Sequence, residues 1–559
     1  MQKSVFCTIV ICLMLLPAVG TAALDYQFSL RCPGTGEEEA VYSRKADNVY
    51  TVSIPGFWDL HALEIRFEGA ESLFLGDAEI HSGDIIDLQG RLGQEIRIRN
   101  DAGKGMGKIR FLQGDALACV FVNVDAEGLA KAQKDKHVIL SEGNIRIVEP
   151  DGTVAYDGAL TQFKGRGNNT FSSVYRKKPF QFKLAKKADI SGMGKGKTWL
   201  LLSNYIDLSL LRNQISLDLI REAGLRFAIR GVQADVWLNG NYNGLYLLTQ
   251  KIQINSSRVD IFDLEEATEK INAAPVSSYS TFKEKGKETE LRGYDIPADP
   301  EDITGGYIVE LDKPYRFRNF SDNGFRTSVK LFFVIKEPTC ASRAQVTYIS
   351  EVFDRAFRAI QAKDGYDPKT GAYYADLIDL KSFALKLLIE DFTKNYDLLA
   401  GSQFFYKDLD SVDPRIFAGP CWDYDLSMGD MPAAGTQPEG DFALKVSFGK
   451  VNWYKLLYQH EDFQQEVARV YRENFRPALA VLLGEAAPAA DGVLRPLEGY
   501  RDAIASSAAM NFARWSPKGV KGYYRDSGTT PKTNTNRLFQ WIRTRVEFMD
   551  SRYGAPAAQ

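Results

Sequence analysis

Two acidic segments hold the residue types in this chain that could do chemistry. The first is Asn395-Tyr396-Asp397-Leu398-Leu399-Ala400-Gly401-Ser402, and the second is Trp422-Asp423-Tyr424-Asp425-Leu426-Ser427-Met428-Gly429. Asp397 precedes Ser402 by five residues. That is the offset at which phosphotransferase catalytic loops place a proton-accepting Asp before a metal-binding residue, ahead of a second Asp-containing turn closed by Gly. Phosphoryl transfer needs one carboxylate to accept the proton of the attacking hydroxyl and others to hold magnesium against phosphate oxygens. Asp397 is the candidate for the first task, and Asp423, Asp425 and Ser402 for the second. Each Asp taken alone is more simply a turn residue that satisfies backbone amides. Their order points to ATP chemistry.

These loops need elements to hold them. Leu385, Leu388, Ile389 and Phe392 recur at offsets of three, four and seven, which predicts a helix over 380–394 leading into Asp397. Gln403 to Tyr406 and Arg415 to Phe417 read as strands that deliver the second loop. The turn between them carries Asp408, Asp410 and Asp413 but lacks the Gly and terminal Glu of a calcium loop. Upstream, Gly165 and Gly167 flank Arg166 and are followed by Asn168; glycines permit close backbone approach to an anion, and a guanidinium grips phosphate in a planar fork. In the strand-like run that follows, Phe180, Phe182 and Leu184 alternate with Gln181 and Lys183, so Lys183 is the candidate ammonium for a nucleotide. The competing reading is a basic edge strand, given Lys177, Lys178, Lys186 and Lys187 nearby. Trp422 either walls the nucleotide site or belongs to the core.

The 559 residues leave room for two or more domains. Residues 1–23 combine Lys3, an apolar run from Val5 to Leu16, Pro17 and small residues, the pattern of a secretory signal peptide, with a run shorter than the roughly 20 residues that span a bilayer. An exported product, extracellular or periplasmic and without a transmembrane anchor, is expected. Beyond the signal, Cys32, Cys119, Cys340 and Cys421 remain; a Cys32–Cys119 disulfide and two buried thiols are equal alternatives. Four scattered histidines argue against zinc hydrolases and a Ser-His-Asp triad. A net charge of −3 with interspersed signs gives no nucleic-acid footprint.

Short alternating runs such as Leu63-Glu64-Ile65-Arg66-Phe67 predict a small β-sandwich over 24–127, expected to serve packing or surface attachment, including glycan contact. Over 128–555 we expect one larger domain, strand-rich at about 137–340 and helical at about 345–555. Within it, a helix is expected at 210–223, a hairpin turning at Asn239-Gly240, and a poorly periodic surface insertion or mobile loop at 265–304.

Six motifs in order carry a family resemblance: GRGNNTF from Gly165, KKPFQFKL from Lys177, LLRN from Leu210, LNGNYNGLYLL from Leu238, NYD from Asn395 and WDYDLSMG from Trp422. Together they resemble the spore-coat protein H (CotH) kinase-like family, over roughly 136–554. The resemblance implies an α+β fold, an atypical bilobal protein-kinase-like domain, that binds ATP with a divalent cation such as Mg2+ and phosphorylates Ser or Thr of a protein acceptor. It casts Asp397 as the catalytic Asp, Asp423 or Asp425 as the metal-binding Asp, Lys183 as the nucleotide lysine and Arg166 as a phosphate contact. Ser402 stands where many members have Asn, and Gln250 where many have Glu. The alternative is a non-catalytic surface or coat-associated protein that keeps the scaffold for binding.

Overall fold

The computed structural model describes residues 28–35, 44–46, 48–68, 70–399, 401–431, 435–447, 451–490, 492–517 and 530–554. The expected signal peptide lies outside the described residues. The chain divides into two compact units, Met1–Val52 with Leu60–Arg110, and Ser53–Asp59 with Phe111–Gln559.

The small unit holds two sheets. One has three strands, in the order Phe28–Arg31, Leu63–Phe67 and Ile85–Ile86; the other has six, including Val49–Ile54, Gly105–Gln113 and Ile96–Asn100. Period-two alternation explains the packing: Leu63, Ile65 and Phe67 are buried while Glu64 and Arg66 are half-buried. The strand Ala118–Asn123, which falls within the 24–127 span expected for the sandwich, belongs to the larger unit. There it pairs in parallel with Gly231–Leu238, setting Val120 opposite Val236.

That pairing helps close a seven-strand barrel. Around the ring run Ala118–Asn123, Gly231–Leu238, Asn241–Gln250, Lys195–Leu202, Phe180–Asp189, Val154–Gly165 and Asn144–Val148; Val154–Gly165 pairs on both sides, which shuts the ring. The interior is filled by Phe163, Phe180, Phe182, Leu184, Trp199, Leu201 and Leu248, with Phe163 stacked on Phe180 at 4.8 Å. Burial of each such side chain contributes about 1.5–3 kcal/mol. The Asn239-Gly240 hairpin forms as expected, with both residues at positive φ (47° and 74°), as a tight two-residue turn requires.

A second, seven-stranded antiparallel sheet is ordered Thr281–Lys285, Glu290–Tyr294, Gly324–Arg326, Phe332–Glu337, Tyr307–Leu311, Gln403–Lys407 and Phe417–Ala418. Helices Arg343–Gln361 and Leu380–Thr393 pack on it through Phe353, Phe357 and Phe383, which meet Phe333 and Phe405. Ser342 and Gln345 cap the first helix reciprocally.

Two expectations are corrected here. A division into lobes near residue 340 gives way to a barrel beside a sheet-and-helix body, because Val309 pairs with Phe405 across that boundary and both are buried. The supposed loop at 265–304 is built from the helix Leu264–Ile271 and the strands Thr281–Lys285 and Glu290–Tyr294. A few buried anchors, Leu264, Val276, Phe282 and Ile296, hold it, together with a buried Arg292–Glu290 pair at 2.6 Å.

The four described cysteines are buried free thiols, so the Cys32–Cys119 bridge does not form. Among the described residues no helix is long and apolar enough to cross a membrane.

Candidate active site

The helix Leu380–Thr393 starts at Asp379, whose carboxylate accepts from the Ser382 amide, and is buried on every side from Ser382 onward. It ends at Lys394 in the left-handed conformation (φ 48°, ψ 46°). The chain then enters buried Asn395. Asn395 Oδ1 accepts from the Asp397 amide at 3.1 Å, and Nδ2 donates to the Asp423 carbonyl at 3.3 Å. One side chain thus ties the two acidic segments together.

The second segment is held from several directions. Asn213 Oδ1 accepts from the Tyr424 amide at 2.8 Å, and Arg212 Nε donates to the Ser427 carbonyl at 3.1 Å. Arg212 is itself fixed by a buried pair with Asp207. The Met428 amide donates to the Thr393 carbonyl at 2.7 Å. Gly429 (φ 77°) is required, because a Cβ there would lie 2.7 Å from the Trp541 ring. Asp423 adopts φ 72°, a strained value for any residue with a side chain, and these contacts hold it there.

Asp397, Ser402, Asp423, Asp425, Arg166 and Trp422 come together at this place. Ser402 Oγ donates to Asp423 Oδ2 at 3.1 Å, and the Ser402 amide donates to Glu310 Oε1 at 2.9 Å. Asp397 is 38% exposed and lies 3.8 Å from Lys313 Nζ. Glu310 pairs with Lys336 at 3.1 Å. The Arg166 guanidinium sits over the Trp422 ring, 5.6 Å from its centroid.

Burial, and then the charge of Asp397, raise the Asp423 carboxyl above the ordinary range, against the pull of Arg166 and the Ser402 hydrogen bond. Asp425 is pushed well above its ordinary value by burial, then by Asp423 and Asp397. Burial lowers the Arg166 pKa while Asp423 and Asp425 oppose that. Among the described residues no three acidic, His or Cys side chains form a ready-made metal cage.

The remaining expected residues have other places. Gly165 makes room for the Phe171 ring, which an added Cβ would meet at 2.1 Å, and Gly167 takes φ 89°. Asn168 is exposed and accepts from Lys136 Nζ at 3.0 Å. Lys183 points outward from the barrel and is exposed; among the described residues no hydrogen bond or ion pair joins it to the acids. Alternation places it correctly on the outer face. Gln250 is buried and bound to the carbonyls of Met193 and Ser257 and the amide of Arg230, a structural role that leaves no place for a lysine partner. Asp408 accepts from the Phe262 and Leu409 amides, while Asp410 pairs with Lys407 and Asp413 with Arg415, so that turn is internally satisfied.

The reading from sequence missed Glu310, Lys313 and Lys336. The available signal was a lone carboxylate, Glu310, inside the apolar strand Tyr307–Leu311, followed three residues later by Lys313.

No curated protein matches the chain significantly. Among solved structures, a glycoside hydrolase candidate from Bacteroides thetaiotaomicron vpi-5482 aligns at 11% identity over 57% of this chain and 85% of that one. Its TM-score of 0.12 carries no argument about fold or activity. The model of the family described as CotH kinase protein matches residues 162–549, spanning all six motifs and most of the chain. The chain therefore belongs to the CotH kinase protein family.

Proposed function

We propose that the protein is an exported kinase-like phosphotransferase that moves the γ-phosphate of ATP to a Ser or Thr hydroxyl of a protein acceptor. The observation that carries this reading is the gathering of Asp397, Asp423 and Asp425 beside Ser402 and Arg166, with two of the three carboxyls raised by burial and by their neighbours' charge. Such mutual repulsion is the environment a divalent cation relieves. Magnesium is typically held by one or two carboxylates together with waters and phosphate oxygens; Asp423, Asp425 and Ser402 fit that mode. When bound, the metal–nucleotide supplies the phosphoryl group and offsets its charge.

The chain's own residues do the rest. Arg166, braced over Trp422, grips a phosphate. Asp397, partly exposed, orients the acceptor hydroxyl and takes its proton, and Lys313 keeps a positive charge beside that carboxylate. Asn395 fixes the spacing between the proton-accepting loop and the Asp423 loop. Lys336 and Lys313 are better candidates than Lys183 for a cation at the phosphates, since each already faces a carboxylate of this cluster.

The test is phosphate incorporation from labelled ATP into protein. Asp397→Ala lowers the rate by about 10²- to 10⁴-fold, the range for a general base. Full activity in this variant would overturn the assignment.

A further inference from the structure

A cavity of about 860 Å³ opens where Ala118 and Gly231 begin their barrel strands, and it shares no lining residue with the Asp397 cluster. Cavities that take small ligands measure roughly 300–1,000 Å³. Gln214 and Asp218 from the helix Arg212–Glu222, Gln233 from the strand Gly231–Leu238, and Tyr500 line it.

Its hydrogen-bonding groups are unevenly satisfied. Gln214 Nε2 donates to Asp218 Oδ2 at 2.8 Å and to the Gly231 carbonyl at 2.9 Å, which fixes the amide's orientation and leaves Oε1 without a partner. Gln233 Nε2 donates to the Leu210 carbonyl, and its Oε1 is likewise unpartnered. Both glutamines are only 8% exposed. A buried amide oxygen without a donor is costly, so native proteins rarely keep one without reason. Asp218 Oδ2 takes both of its donors, from Gln214 and from the Tyr500 hydroxyl at 2.8 Å, which leaves Oδ1 for another donor.

The charges are uneven too. Of the acids lining the cavity, Glu149 is spent on the Ser191 amide and hydroxyl, Asp115 on the Ser507 amide, and Asp502 on Arg501. The Arg230 guanidinium donates to the Gly192 carbonyl, and among the described residues no ion pair within 4 Å joins it or Arg495 to a carboxylate, although the charge of Arg495 is felt by Asp218. The groups left over are therefore acceptors in the wall and guanidiniums at its edge.

We propose that this cavity binds a small hydroxylated anion, of the sugar-acid or sugar-phosphate kind, with the anionic group on Arg230 and Arg495 and hydroxyls donating to Asp218, Gln214 and Gln233. Guanidiniums pair with carboxylate and phosphate in two-pronged geometry, and a hydroxyl supplies the donor that each wall oxygen lacks.

Isothermal titration of the full chain with glucuronate, glucose 6-phosphate, glucose and inorganic phosphate tests this. One of the two hydroxylated anions binds saturably with a Kd below about 1 mM, and glucose binds at least about tenfold more weakly; which anion is preferred identifies the carboxylate or the phosphate as the recognised group. Arg495→Met, at an exposed position, weakens binding about tenfold or more, as does Asp218→Asn. Arg166→Met, which alters the other site, leaves it unchanged. Failure of both anions to bind overturns the proposal. So does glucose or inorganic phosphate binding as tightly as the better anion, or Arg495→Met binding like the unmodified chain.

Discussion

Asp391 and Asp423 are set into the same body and satisfied in opposite ways. Asp391 lies on the buried helix Leu380–Thr393, where Oδ1 accepts from the Phe442 and Ala443 amides at 2.9 and 2.8 Å, and Oδ2 meets Arg545 Nη2 at 2.9 Å and the Tyr553 hydroxyl at 3.2 Å. Every lone-pair direction is used, and the charge is cancelled. Among the described residues the Asp423 carboxylate accepts one hydrogen bond, from Ser402 Oγ at 3.1 Å, while Asp397 and Asp425 stand against it. An acid that serves the scaffold is surrounded by donors, whereas an acid kept for chemistry is left short of them and faces like charge. The difference could not be read from residue type or from burial alone.

Stability measurements sharpen the comparison. Asp391→Ala leaves Arg545 buried without its partner and lowers stability in urea unfolding by about 3–5 kcal/mol. Asp397→Ala, at a partly exposed position, shifts stability by no more than about 0.5 kcal/mol. Equal losses in the two variants would break the distinction between scaffold and working acids.

A smaller effect is expected from Asn213→Ala, which deprives the buried Tyr424 amide of its acceptor. Stability falls by about 1–3 kcal/mol, and nucleotide affinity falls with it because the Asp423 loop loosens. Unchanged affinity would show that the loop is held without Asn213.

The smallest effect concerns pH. Burial pushes the Asp218 carboxyl up to about 7, against hydrogen bonds from Gln214 and Tyr500 and the positive charges of Arg495 and Arg221. Folding thus favours its protonated form. The contribution is complete below the unfolded value near 3.8 and is lost as pH rises toward 7. Asp218→Asn, which cannot ionise, should flatten the decline in melting temperature between those limits. An unchanged pH profile would show that Asp218 is not its source.

Much of the site was legible in the sequence, because its acids lie in two short segments whose order is local information. The helix before Asp397 and the Asn239-Gly240 turn were legible for the same reason. What was not legible depends on distant pairing. Barrel closure joins Ala118–Asn123 to Gly231–Leu238 across more than a hundred residues, and no local period announces a parallel partner. For Lys183, alternation gives the exposed outer face, but it does not state what stands opposite that face. Glu310 and Lys313 reach the site only through the pairing of Tyr307–Leu311 with Gln403–Lys407, which is also what sets Ser402 beside Glu310.

The most direct measurement is the melting shift of the protein with magnesium-ATP, compared with Asp423→Asn and Asp425→Asn. At a hundredfold excess over the dissociation constant, binding adds about 2.7 kcal/mol to stability. We expect a magnesium-dependent upward shift that is lost in at least one of the two variants. No shift in the folded protein, or an undiminished shift in both variants, would contradict a metal–nucleotide site built on these acids.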